Sequence, residues 1–164
     1  MFETFSESSR KIIFLARYEA GRLKYDYIDT PHFLLGFIAE DGGDSERQMR
    51  KSLGMEDLPA GEQPRQKEKE SFLGRETAER LQAALSVFGP RDEPQPTHGD
   101  MPLTEGAKSV LKAAFEHANG SQVTPLHLLW AMFVDRESPV AKALRENGIT
   151  REQVENEIHR RSSA

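Results

Sequence analysis

Residues 30–38 read TPHFLLGFI, and residues 124–132 read TPLHLLWAM. In both stretches a threonine and a proline precede an apolar run, and a histidine lies near the start of that run. Self-similarity of this kind is the signature of repeated structural units. The chain is therefore predicted to consist of two copies of one small helical unit.

The similarity extends to both sides of these stretches. An offset of 98 residues aligns the segments before them, and an offset of 94 aligns the two stretches themselves. The matching units then span about residues 6–55 and 104–149. We predict a single domain over residues 1–161, with repeat one at about 1–58, a connector with one helix at about 59–100, and repeat two at about 101–161.

The composition is that of one globular domain, with 164 residues of which 37% are hydrophobic. No apolar run approaches the roughly 18 to 20 residues that span a bilayer, and the acidic N-terminus does not resemble a secretory signal. We therefore expect a cytoplasmic protein without a membrane partner. The absence of cysteine excludes disulfides, thiolate metal sites and cysteine nucleophiles.

The net charge of −5 also limits the possible partners. Most of the acidic excess lies between the two repeats, where residues 56–100 hold 6 Lys or Arg and 10 Asp or Glu. The chain has no dense basic cluster of the kind that neutralises phosphates. Nucleic acid is therefore not an expected partner.

The first helix of each repeat has a clear start. Ser6 and Thr104 are suited to cap free backbone amides, and each is followed by a glutamate that complements the helix dipole. Apolar residues then recur at helical spacing. In the first repeat this stripe comprises Ile12, Ile13, Ala16, Ala20 and Leu23.

The second helices begin with the repeated Thr-Pro pair. Thr30 and Thr124 are predicted as N-caps, with Pro31 and Pro125 at the first helical position, where proline removes no hydrogen bond. The residues that follow are apolar nearly all round. This pattern predicts short helices that are buried at the centre of each unit.

Third helices are predicted over residues 45–53 and 139–147, with Gly54 and Gly148 as left-handed C-caps. The sequence from Thr150 to Gln153 then predicts a capping box at the start of a last helix. Between the repeats, residues 76–88 carry a helical apolar stripe. The proline-rich segments on either side of that stripe predict flexible arms.

Three segments together give a specific resemblance. Residues 2–13 (FETFSESSRKII), the two stretches quoted at the outset, and residues 102–114 (PLTEGAKSVLKAA) resemble the Clp repeat, or Clp N-terminal, domain of Clp-type AAA+ unfoldases, especially the ClpC branch. The resemblance implies an all-α domain of two tandem four-helix repeats with pseudo-twofold symmetry, about eight helices in all. It also implies a domain that binds substrates, degradation tags or adaptor proteins.

The sequence lacks the GxxxxGK[ST] loop that cradles nucleotide phosphates. We therefore predict a protein that is not an enzyme, has no ATPase activity of its own and needs no cofactor. The chain is either the N domain of a larger unfoldase or a free-standing Clp-repeat protein, and the long connector favours the second. An alternative role is a regulatory module that docks on the Clp hexamer itself.

The resemblance also suggests a binding surface where the starts of the two repeats meet. Its positions correspond to Phe2, Arg10, Ile13, Leu103 and Lys108, an apolar patch flanked by cations. Such a patch suits an extended peptide. The simpler interpretation is that the apolar members belong to the core or staple the first helix.

A second feature of the family is altered in this chain. ClpC-like domains usually carry TEH at the start of each second helix, and the glutamate is associated with phosphoarginine recognition, since a carboxylate accepts hydrogen bonds from a guanidinium. Pro31 and Pro125 occupy these positions. Phosphoarginine recognition is therefore not expected unless Glu7, Asp29 or Glu105 replaces the missing carboxylate.

His32 and His127 fall at adjacent, not equivalent, positions when the Thr-Pro pairs are aligned. No histidine pair has metal-ligand spacing, so no metal site is predicted and a capping or buried hydrogen-bonding role is favoured. A small histidine-dependent enzyme stays as the less favoured alternative. In the same alignment Trp130 replaces Gly36, as core filling or as an exposed anchor for a partner.

The prediction for function is a protein-binding module. Two repeats bury their apolar stripes against each other and leave a seam that recognises substrates or adaptor proteins of a Clp unfoldase and protease. The acidic connector suggests the further hypothesis that residues 58–70 fold over this seam and gate it.

Overall fold

The structure, a computed structural model, describes residues 2–55, 70–86 and 101–162. These residues form eight α-helices and a short 3₁₀ helix at Phe2–Thr4, and they contain no β-strand. The predicted all-α fold of two four-helix repeats is confirmed. The helices are α1 (Glu7–Arg22), α2 (Thr30–Asp41), α3 (Ser45–Ser52), α4 (Arg75–Leu85), α5 (Glu105–Ala118), α6 (Pro125–Ala131), α7 (Pro139–Glu146) and α8 (Arg151–Ser162).

The first helices of the repeats start where their capping residues predict. The Ser6 hydroxyl oxygen accepts a hydrogen bond from the Ser9 amide at 3.1 Å, and the Thr104 hydroxyl oxygen accepts one from the Ala107 amide at 3.1 Å. Each bond satisfies one of the amides that a helix N-terminus leaves without an intrahelical partner. The offset of 98 residues between α1 and α5 is therefore correct.

The predicted N-cap of α2 is wrong by one residue. Asp29 is the N-cap, and its carboxylate accepts from the Thr30 amide at 2.8 Å, so Thr30 is the first helical residue. The Asp29 amide in turn donates to Nδ1 of His32 at 2.9 Å. The same reciprocal arrangement occurs at α6, where the Thr124 amide donates to Nδ1 of His127 at 2.9 Å.

His32 and His127 are therefore equivalent, and the second helices align with an offset of 95 instead of 94. The prediction that these histidines are not equivalent is wrong, because the Thr-Pro pair does not fix the register. Proline is tolerated anywhere in the first turn, where amides lack partners, whereas the histidine bond is tied to one position. The predicted capping role of both histidines is confirmed.

The corrected register also changes the partner of Trp130. An offset of 95 places Trp130 over Leu35, and it places Ala131 over Gly36. Both Leu35 and Trp130 are half-buried. The sequence-based comparison of Trp130 with Gly36 is therefore wrong.

The third helices and the last helix agree with the predictions. Gly54 and Gly148 follow α3 and α7 with φ of 72° and 82°, a left-handed conformation that glycine adopts without steric cost. At the start of α8, the Thr150 amide donates to Gln153 Oε1 at 3.1 Å and the Gln153 amide donates to the Thr150 hydroxyl at 3.2 Å. The predicted capping box is confirmed.

The helix predicted between the repeats is α4. Its Leu81 and Leu85 are buried, and the helix packs against α2 and α7. Its predicted end at Phe88 and the predicted flexible arms lie outside the described residues, apart from residue 70. The division of the chain into repeats and connector stays a prediction.

Two short parallel backbone bridges join the repeats, and each links the start of one repeat to the second-helix approach of the other. Phe5 pairs with Val123, and Ile28 pairs with Leu103. Phe5 and Val123 are fully buried, in one hydrophobic core that draws on both repeats. The two repeats therefore share a common boundary around a pseudo-twofold axis.

Among the residues described, no helix combines the length and the apolar character needed to cross a membrane.

Candidate peptide-binding groove

A groove of about 730 Å³ lies at the junction of the two repeats. Repeat one contributes the start of α1 and the end of α2, and repeat two contributes the approach to α6, the first turn of α6 and the end of α8. The volume is within the range of about 300 to 1,000 Å³ that is usual for ligand sites. This groove is the candidate functional site.

The floor of the groove is apolar. Phe37 comes from α2, Leu126 from α6 and Ile158 from α8, and Pro125 lies beside them. Phe37 and Leu126 are buried in the common core, so their positions are fixed by packing. A ligand side chain that enters the groove therefore meets a rigid apolar surface.

The rim is rich in small polar residues. The Ser9 hydroxyl donates to the Val123 carbonyl at 2.8 Å and lies 3.0 Å from the Ser6 hydroxyl, which ties the start of α1 to the approach to α6. Gln122 is exposed beside this junction. The remaining polar rim residues are Ser8, Ser121, Thr124 and Ser162.

Asp41 organises one wall of the groove. Its carboxylate accepts from the Ser71 hydroxyl at 2.8 Å, the Phe72 amide at 2.7 Å and the Leu73 amide at 3.0 Å. These three bonds hold the segment that follows Glu70 against the end of α2. Asp41, the last residue of α2, therefore also anchors the groove wall.

The end of α8 holds the same wall from the other repeat. Arg160 donates to the Glu70 carboxylate at 2.6 Å, and Arg161 donates to the Glu70 carbonyl at 3.0 Å. Both arginines also bind Glu157, and their hydrogen bonds lower the pKa of Glu157 to about 2. Glu70 therefore joins the two repeats at the groove. The remainder of the predicted gating segment lies outside the described residues.

His127 lines the groove as a neutral ring. Its Nδ1 accepts the capping bond, and burial lowers its pKa, with a smaller contribution in the same direction from His117. His32 is 1% exposed, and burial lowers its pKa to about 4. Because both rings are buried in capping boxes, neither is placed as a catalytic base.

A second cluster lies on the outer side of repeat two. The His117 ring stacks on Trp130 with centroids 3.7 Å apart, and the Arg151 guanidinium lies 5.7 Å from the Trp130 ring. His117 Nε2 is also 2.7 Å from the Glu155 carboxylate, which His159 approaches at 3.1 Å. Within the described ranges, no cluster of three or more metal-ligating side chains is arranged to hold an ion.

Four of the residues predicted from the resemblance, Arg10, Ile13, Leu103 and Lys108, lie elsewhere than in the groove lining. Arg10 Nε donates to the Phe5 carbonyl at 3.2 Å, and the exposed Lys108 lies 3.3 Å from Glu105. Ile13 and Leu103 are half-buried against the core. Phe2 begins the 3₁₀ helix, and its side chain lies outside the described atoms. This set stays a prediction.

The second junction, between α2 and α5, differs from the first. The Thr104 hydroxyl donates to the Asp29 carboxylate at 2.8 Å and so links the starts of the two helices directly. At the first junction the equivalent residues are Ser6 and Thr124, which line the groove instead. The Asp29 carboxylate is therefore already engaged within the chain.

The histidine-anchored register corrects one motif position. The residues that precede the two histidines are Pro31 and Leu126, so Leu126, not Pro125, takes the place of the second glutamate of the TEH pattern. Neither side chain can accept a hydrogen bond. Phosphoarginine recognition through these positions stays unexpected.

The comparisons with known proteins agree with this architecture. Residues 102–163 match the model of the Clp repeat (R) N-terminal domain family. Over 161 residues the chain is 27% identical to the "Negative regulator of genetic competence ClpC/MecB" of Bacillus subtilis, an alignment that covers 96% of this chain and 17% of that protein. The chain thus spans about a sixth of the length of this relative.

Solved structures share the fold over nearly the whole chain. The N-terminal domain of the chaperone ClpD from Arabidopsis thaliana superimposes with a TM-score of 0.61 at 23% identity, covering 94% of both chains. The Hsp104 N-terminal domain from Candida albicans gives 0.59 at 19% identity, covering 93% of this chain and 87% of that one. The chain as a whole therefore has the fold of Clp and Hsp104 N-terminal domains, and its residues 102–163 are similar to the Clp repeat N-terminal domain family.

Proposed function

We propose that this protein is a binding module that recognises polypeptide segments in substrates or adaptor proteins of a Clp unfoldase and protease, at the groove between its two repeats. The domain supplies recognition, and a Clp ATPase supplies the work of unfolding. We place the protein in the cytoplasm.

The groove is the observation that carries this proposal. Phe37, Leu126 and Ile158 form an apolar floor, and serine, threonine and glutamine side chains form a polar rim. An extended segment needs both, because its side chains gain from burial while its backbone needs hydrogen-bond partners. The groove is also held from both repeats, so its shape depends on the doubled fold.

A groove-filling substitution provides the test. Gln122 is exposed on the rim, and Gln122→Trp is expected to occupy part of the groove without disturbing the core. The probe is a fluorescein-labelled decapeptide with leucine and phenylalanine at its centre, titrated by fluorescence anisotropy. Loss of one well-packed apolar anchor typically costs about 2 kcal/mol of binding free energy or more. Affinity is therefore expected to fall by a factor of roughly 30.

Gln82→Trp is the matched control. Gln82 is an exposed residue of α4 that does not line the groove, so the same substitution there is expected to leave affinity unchanged. Equal affinity of the wild type and Gln122→Trp would contradict the proposal. Unchanged thermal unfolding of both variants would show that the comparison reports binding.

A further inference from the structure

We infer that the groove selects segments in which a bulky apolar side chain stands next to lysine or arginine. This inference rests on the proposed function, because it names the class of polypeptide that the same groove takes. The apolar floor explains the preference for a bulky apolar side chain. The charges on the groove wall explain the preference for a basic residue next to it.

The charged groove residues within the described ranges are mostly acidic. Glu40, Asp41 and Glu70 contribute three carboxylates, and Arg161 contributes one cation. His127 adds no charge at neutral pH because burial lowers its pKa. Among the residues that the structure describes, the lining therefore carries a net charge of −2, obtained from three negative charges and one positive charge.

Two cations close to the lining are each paired with a further carboxylate. Lys11 lies near Glu40 and binds Glu46, while Arg160 binds both Glu70 and Glu157. Adding these two cations and these two carboxylates gives five negative and three positive charges, again −2. The Arg161 charge is itself paired with Glu157 at 2.9 Å, which weakens its attraction for an anionic ligand.

Asp41 contributes a negative charge to the groove wall. The hydrogen bonds given above for its carboxylate come from a hydroxyl and two amides, which orient the carboxylate but do not neutralise it. It is also the last residue of α2, where the helix dipole adds negative partial charge. A low-dielectric groove concentrates such a field at its mouth.

Acidic segments and nucleic acids fit this surface poorly, because they bring like charge to the groove. A purely apolar segment would use the floor and gain nothing from the negative charge of the wall. A segment with both features uses the floor and the wall together. Charge complementarity of this kind acts mainly on specificity and association rate.

Three matched peptides test the inference. Each is a fluorescein-labelled decapeptide with leucine and phenylalanine at its centre, and the flanking positions carry two lysines, two glutamines or two glutamates. We expect affinity in the order lysine, glutamine, glutamate, with a step of roughly threefold for each unit charge placed 5 to 8 Å from the wall. At 1 M salt the three affinities are expected to converge, because the screening length falls to about 3 Å.

Charge substitutions at Gln122 place the effect at the groove. Gln122→Glu is expected to widen the gap between the lysine and glutamate peptides by roughly ninefold, because these peptides differ by four unit charges, and Gln122→Lys is expected to narrow it by a similar factor. Ser109→Glu and Ser109→Lys are the controls, because Ser109 is exposed on α5 and does not line the groove. They are expected to leave the gap unchanged.

The outcomes separate the inference from the proposed function. If all three peptides bind equally and lose affinity in Gln122→Trp, the inference is overturned and the proposed function stands. A preference for the glutamate peptide has the same meaning. If none of the peptides binds, or if Gln122→Trp leaves their binding unchanged, both are overturned.

Discussion

Gly36→Ala is expected to lower the free energy of unfolding by about 2 kcal/mol. A Cβ atom at Gly36 would lie 2.6 Å from the Ile12 carbonyl oxygen and 3.3 Å from Ile12 Cγ2, so α1 and α2 would have to move apart. Ile12 and Gly36 are both buried, and the neighbouring helix backbone cannot yield as a flexible side chain could. The strain therefore exceeds the gain of about 1 kcal/mol that alanine brings to a helix interior.

Gly21→Ala is the matched control for this prediction. A Cβ atom at Gly21 would lie 3.6 Å from Met101 Cε, which is an ordinary contact with a flexible side chain. In α1 this substitution is expected to raise the stability by up to about 1 kcal/mol, in the opposite direction. Urea unfolding at 25 °C measures both variants. A Gly36→Ala variant as stable as the wild type would show that the two helices do not cross this closely.

Acidification from pH 7 to pH 4 is expected to remove about 3 kcal/mol of stability through His32 alone. The pKa of His32 is lowered to about 4 from 6.5, mainly because the ring is buried. His32 is therefore protonated near pH 6.5 in the unfolded chain but only near pH 4 in the folded chain. Stability is complete above pH 6.5, falls between pH 6.5 and pH 4, and levels off below pH 4.

His32→Gln separates this effect from general acid denaturation. The glutamine side chain can accept a hydrogen bond from the Asp29 amide, as His32 does in the capping box, and it does not titrate. The difference in unfolding free energy between pH 7 and pH 4 should shrink by about 3 kcal/mol in this variant. If His32→Gln and the wild type lose the same stability on acidification, His32 does not carry the effect.

The helices could largely be predicted because their start and stop signals are local. Ser6, Thr104 and the pair Thr150 and Gln153 each bond within one helical turn, so the sequence contains both partners of every such bond. Gly148 is likewise explained by its own backbone angle. Capping signals of this kind can be recognised in the sequence without knowledge of the tertiary structure.

The register of the second helices could not be fixed by sequence identity. The matching Thr-Pro pairs suggested an offset of 94, whereas the capping bonds of His32 and His127 establish 95. Asp29 and Thr124 are both N-caps although their side chains differ. The two repeats therefore share this geometry without sharing the residue type. The shared position of the histidines was the signal that could have corrected the alignment.

The groove could be predicted only as a seam between the repeats. Its lining joins Phe37, Gln122, Leu126 and Ile158, which are brought together by the pairing of the two repeats and carry no common motif. Asp41 had no distinguishing pattern in the sequence, yet its bonds to residues 71–73 build one wall. The lining of such a site depends on contacts between residues that are far apart in the chain. A single sequence does not reveal these contacts.

The most direct measurement is a titration of ¹⁵N-labelled protein with the lysine-flanked peptide, followed through the backbone amide shifts. We expect saturable shifts at Ser8, Phe37, Gln122 and Leu126, from both repeats together. Peptide binding with shifts confined to Arg10, Ile13, Leu103 and Lys108 would contradict it. Such a result would move the binding surface from the groove to the set that the sequence resemblance suggested.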